Sequence, residues 1–124
     1  MVEILTEGRR GAAHYIVSEA HGYRSREQGV VASGAGVLSA GQVMGQVTAT
    51  GKYVPVDPDA VDGSEKAAAI LYEGCDATDA DVRRTFTVRD TEVHADVLAW
   101  VDGTTDPEKT AALAELAAAG IVGR

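Results

Sequence analysis

The sequence predicts a mainly β domain with one C-terminal α-helix and an extended N-terminal arm. Three observations carry that expectation. Over Arg84 to Arg89, Phe86 and Val88 interleave with Thr85 and Thr87, the period of a half-buried strand. Thr105-Asp106-Pro107-Glu108 supplies a capping hydroxyl, an early proline and an acidic first turn, which together open a helix. The first 28 residues hold two short apolar groups, Ile4-Leu5 and Tyr15-Ile16-Val17, and neither has helical spacing.

Taken in order, residues 1–28 read as an arm and residues 29–124 as the β-rich body. Gly34 and Gly36 mark a loop. From Leu38 the texture becomes strand-like, with Val43, Gly45 and Val47 on one face and Gln42, Met44 and Gln46 on the other. Lys52 to Val56 reads as a strand, but Pro55 lacks a ladder donor, which places it at an edge or a bulge. Ala67 to Tyr72 lies between turn clusters and is expected to be a strand. So is Glu92 to Ala99, with Val93, Ala95 and Val97 inward, paired with 84–89 around Asp90-Thr91. The helix is expected near 106–119, its apolar face built from Leu113, Leu116 and Ala117 with Glu115 pointing elsewhere. Gly120 suits the cap after its last turn, and Ile121-Val122 a short buried extension.

At 124 residues, with 45% hydrophobic and 24% charged side chains, the chain is expected to form one soluble domain with its own core. The single Cys75 excludes an internal disulfide and is compatible with a reducing cytoplasm. No run of eighteen apolar residues predicts a membrane span, and the N-terminus does not read as an export signal. The net charge of −8 disfavours direct contact with nucleic acid, whose phosphates attract the opposite sign. That charge is uneven: residues 1–26 sum to +1, so the remainder carries −9, the pattern of a segment with its own partner on an acidic body.

Chemistry-bearing constellations fail on inspection. Asp57, Asp59, Asp62 and Gly63 resemble the start of a calcium loop, but Val61 and Ala68 fall where oxygen ligands are required. Gly34 to Gly36 opens a dinucleotide fingerprint that Ser39 and Gly41 break. His14, His21 and His94 are not expected to form a metal site. Nothing supports Cys75 as a nucleophile. No cofactor is implied. Trp100 reads as a partly buried anchor at a strand end.

The runs EILTEGRRGAAHYIVSEAHGYRSREQG, LSAGQVMGQVT, GKYVPVDP, DGSEKAAAILY and AALAELAAAGIV, in this order and spacing, closely resemble the bacteriophage head decoration proteins of phage lambda type. The resemblance spans nearly the whole chain, with departures at His14, Tyr15, His21 and Gly123. It implies a non-enzymatic β-clip domain that is made in the host cytoplasm and binds as homotrimers on the outside of the expanded virion head. There it would sit at three-fold and quasi-three-fold positions and stabilise the shell against packaged DNA. The implied partner is the major capsid protein, to whose sheet the arm adds a strand; neither nucleic acid nor membrane is implied. Carried onto this chain, the arm residues are Ile4, Leu5, Thr6, Arg9, Arg10, Tyr15, Ile16, Val17, Arg24 and Arg26. The arginines either pair with capsid acids or keep the arm soluble. Tyr53, Val54, Pro55 and Trp100 are candidates for the trimer interface, with Trp100 equally suited to the core. Two other readings compete: a trimeric β-clip enzyme of nucleotide pyrophosphatase type, and a strand-donating adaptor for another protein.

Overall fold

The computed structural model describes residues 11–124. Strands β2 (Arg26–Val31), β5 (Tyr53–Pro55), β4 (Val43–Gln46), β6 (Ala67–Leu71) and β8 (Val82–Thr87) close in that order into a small barrel. Strands β1 (Ile16–Glu19), β9 (Thr91–Val93) and β10 (Ile121–Gly123) form a second sheet with β9 in the middle. Strands β3 (Gly36–Leu38) and β7 (Cys75–Ala77) pair by themselves. A single helix, α1 (Asp106–Ala118), precedes β10. The mainly β class with one C-terminal helix is therefore as the sequence predicts.

Two apolar cores share the barrel wall. Val31, Met44, Tyr53, Ala69, Leu71 and Phe86 belong to one core, and Tyr15, Val43, Ile70, Val93, Leu116 and Ile121 to the other. Successive residues of β6 alternate between them, Ala69 and Leu71 to one side and Ile70 to the other, because neighbouring side chains on a strand point to opposite faces. The same holds for Val43 and Met44. A strand covered on both faces loses the apolar-polar alternation of a half-solvated one. Thr87, expected to face outward, is accordingly fully buried, and its hydroxyl meets that of Tyr15 at 2.7 Å.

The helix begins where expected: the Thr105 side chain accepts from Glu108 N–H while Glu108 Oε1 accepts from Thr105 N–H, a reciprocal capping box. Gly120 adopts φ +95°, which ends the helix and turns the chain into β10. Glu115 does not point away: its Oε1 accepts from Ala67 N–H at 2.9 Å and ties the helix to the start of β6. Pro55 pairs with Met44 of β4 but lies past the single Val31–Tyr53 pairing of β5 with β2, so its missing N–H interrupts no ladder on that side.

Two further expectations are corrected. The 92–99 stretch is not a long strand paired with 84–89. β9 ends at Val93, Ala95–Val97 form a 3-10 turn, and β9 pairs with β1 on one side and in parallel with β10 on the other. Asp90, at φ +51°, makes the turn, but it sends the chain from the barrel into the second sheet instead of folding it back. The Gly34–Gly36 loop is likewise shorter than expected, since β3 starts at Gly36.

Candidate functional site

The N-terminal flank holds the residues on which function was expected to rest. Ile4, Leu5, Thr6, Arg9 and Arg10 lie outside the described residues. The chain from Gly11 onward is tied down at once. Ala13, at φ +61°, donates its N–H to the Tyr72 carbonyl at 3.0 Å, and Tyr15 fills the second core with no exposed surface. Burial pushes the Tyr15 phenol far above its ordinary range, so it stays protonated and bonded to Thr87. Gly41 leaves the room that this turn needs, because a Cβ there would come within 3.0 Å of the His14 ring.

β1 then pairs with β9, Ile16 opposite Val93 and Glu19 opposite Thr91, with an irregularity that leaves Val17 between pairs and 44% exposed. Its other edge is unpaired in the described sheet. An arm extending to residue 28 is therefore not what the structure draws. Tyr15 and Ile16 pack into the domain's own core and β2 is a barrel stave.

Arg26 anchors the start of β2. Its guanidinium forks onto Glu19, with Nε at 3.1 Å from Oε1 and Nη2 at 2.6 Å from Oε2, and lies 4.4 Å from the Tyr72 ring centroid. The buried Ser25 hydroxyl donates to the same carboxylate at 2.5 Å. The Arg26 bonds, joined by that of Ser25, hold Glu19 below the ordinary carboxylate range, and Glu19 in turn raises Arg26. Arg26 is thus satisfied within its own chain. Arg24 is exposed, 3.9 Å from Asp90, while its carbonyl accepts from Arg89 at 2.7 Å. Beside the clamp, Tyr23, Arg26, Gln28, Tyr72 and Thr85 line an open groove of about 370 Å³.

Of the interface candidates, Tyr53 is buried in the barrel, stacked on Phe86 with ring centroids 4.2 Å apart. Its ring is a core element. Val54 and Pro55 are half-buried, and Trp100 packs against the second core with part of its ring exposed. Sequence reasoning missed Glu19, Ser25 and Tyr72. A carboxylate and an arginine flanking the Gly22 turn were the one available hint.

Among the described residues, no group of three His, Cys, Asp or Glu side chains is placed to hold a metal ion. No helix among them is long and apolar enough to cross a membrane. What the flank offers is an exposed strand edge and an aromatic groove beside a chain fixed at Ala13 and Tyr15. The chain belongs to the bacteriophage lambda head decoration protein D family, whose match runs over residues 4–121. That is a structural family of the phage capsid, and it gives this chain a decorating role on the virion. No curated protein matches the chain.

Proposed function

We propose that the chain binds as a homotrimer to the outside of the expanded head, at three-fold and quasi-three-fold positions, and cements neighbouring major capsid subunits against the pressure of packaged DNA. The observation that carries this reading is the family match across residues 4–121. The geometry supports it. The chain is fixed at Ala13 and Tyr15, and strand addition needs a segment with alternating side chains just before that point. Ile4, Leu5 and Thr6 are that segment, with Arg9 and Arg10 meeting capsid acids and the exposed Val17 and Arg24 flanking the contact. Val54, Pro55 and Trp100 lie at the subunit contact. The chain, at −8 overall, has no net attraction for the packaged DNA or for anionic membranes.

Magnitudes make the trimer part of the mechanism. About four to six new backbone hydrogen bonds at about 1 kcal/mol net each are offset by ordering at about 1 to 2 kcal/mol per residue, so one leader binds marginally. Three on one assembly turn later contacts into intramolecular events and raise avidity by about a hundredfold or more. The test is to mix purified protein with undecorated expanded heads and reconstruct them by electron microscopy. Three-fold protrusions are expected, and removal of residues 1–10 should weaken saturation by about a hundredfold. The deletion stops there because a longer one, through residue 28, takes out Tyr15 and β1. Unchanged affinity of the truncated protein overturns the strand-addition mechanism.

A further inference from the structure

A cavity of about 100 Å³ opens between α1 and the loops at Pro58 and Thr104. Its walls are Trp100, Val56, Pro58 and Ala112, and its rim carries three half-buried carboxylates, Glu65, Glu108 and Glu115. Each rim carboxylate is held by a backbone amide: Glu65 Oε1 accepts from Gly63 N–H at 2.8 Å, Glu108 Oε1 from Thr105 N–H at 2.9 Å, and Glu115 Oε1 from Ala67 N–H at 2.9 Å. Among the described residues no ion pair involves any of them. An apolar slot with an indole wall and an anionic rim suits a long cationic side chain, whose stem packs in the slot while its head meets the π face and the carboxylates.

The same chain carries a complement. Arg83 on β8 is exposed, and among the described residues it joins no ion pair. Lys66 and Lys109 are the other described cations outside the ion pairs, and each is the chain neighbour of a rim glutamate. A cyclic trimer closes head to tail, so two different surfaces of one chain must fit each other. The geometry points to a heterologous subunit contact in which Arg83 of one copy enters the Trp100 cavity of the next. This inference rests on the homotrimer of the proposed function and says which residues join it. Arginine suits the role because its planar guanidinium stacks on indole and forks onto carboxylates with a weaker hydration cost than an ammonium.

The experiment is a double-mutant cycle on the full chain, with trimer dissociation followed by sedimentation in solution and trimer occupancy counted on decorated heads. Glutamine at the rim keeps each backbone bond and removes only the charge. Arg83→Gln alone and the combined Glu65→Gln, Glu108→Gln, Glu115→Gln variant should each weaken trimerisation by about tenfold or more. Joining them should cost no more than either alone, since both remove one contact. Thermal unfolding of the subunit should stay within a degree or two in all of them. Additive losses, or a wild-type trimer that neither variant weakens, overturn the Arg83 contact while leaving decoration intact. A wild-type chain that is monomeric in solution and on heads sinks the trimer itself. If the rim variant responds only when residues 1–10 are present, the occupant is Arg9 or Arg10 of the leader, and the Arg83 assignment is wrong.

Discussion

The N-terminal flank and the Trp100 end handle charge in opposite ways. Around the flank and the barrel, cations meet carboxylates of the same chain: Arg26 with Glu19, Arg89 with Glu27, Lys52 with Asp81, Arg84 with Glu73. At the Trp100 end the carboxylates are held by backbone amides, and their charge is left standing. The difference separates a region whose charges are paired within the chain from one whose carboxylates meet no cation among the described residues, the end at which the proposed subunit contact falls. It also predicts where mutations show: in subunit stability at the flank, and in association at the cavity.

The largest effect is expected at Tyr15. Tyr15→Ala removes a fully buried ring from the core that joins β1, β6 and α1, and should cost about 3 to 5 kcal/mol in urea unfolding. Tyr15→Phe keeps the ring and strips the bond to Thr87, leaving a buried hydroxyl to find another partner, for about 1 kcal/mol. If Tyr15→Ala were as stable as wild type, residue 15 would belong to a partner-seeking arm after all.

Next is Arg26→Ala, which strands Glu19 and Ser25 beside Tyr72 and should cost about 1 to 3 kcal/mol. Arg26→Lys should recover little, because an ammonium cannot fork onto both oxygens and stack at once. A lysine variant that melts with wild type would reduce the clamp to a simple charge pair.

How far the sequence reached depends on how local each signal was. The capping box at Thr105 and Glu108, Pro107 and Gly120 lie within one segment, so α1 could be read to within a residue of its end. Strand β8 was legible only in part: Phe86 alternates with polar neighbours in the sequence, but the strand runs from Val82 to Thr87 and buries Thr87 as well. The pairing of β9 was not legible, since its partners are 72 to 77 residues earlier and 30 later, and a turn at Asp90 looks the same whether the chain folds back or crosses to another sheet. Tyr15-Ile16-Val17 looked partner-seeking because so few apolar residues surround it in the sequence, yet the hydroxyl that satisfies Tyr15 sits at Thr87. Of the candidate contact surface, Trp100 was visible as an anchor, but the three glutamates that rim its cavity come from a loop and both ends of a helix, and only folding brings them together.

The smallest effect follows from protons. Glu19 sits below its ordinary value of 4.5 because Arg26 and Ser25 bond its charged form, so the folded chain holds fewer protons at this site than the unfolded one. Its stabilising contribution is complete above the ordinary value and disappears as pH falls through the lowered one. Glu19→Gln removes the titration, so the acid side of the stability profile, followed by urea midpoints from about pH 6 down to about pH 3, should be shallower than in wild type. The rim glutamates make a sharp contrast, because replacing them with glutamine leaves the Arg26 clamp and its titration untouched. Identical acid slopes in Glu19→Gln and wild type would mean that the flank neutralises this charge without drawing stability from it, and the division between the two ends would then rest on association alone.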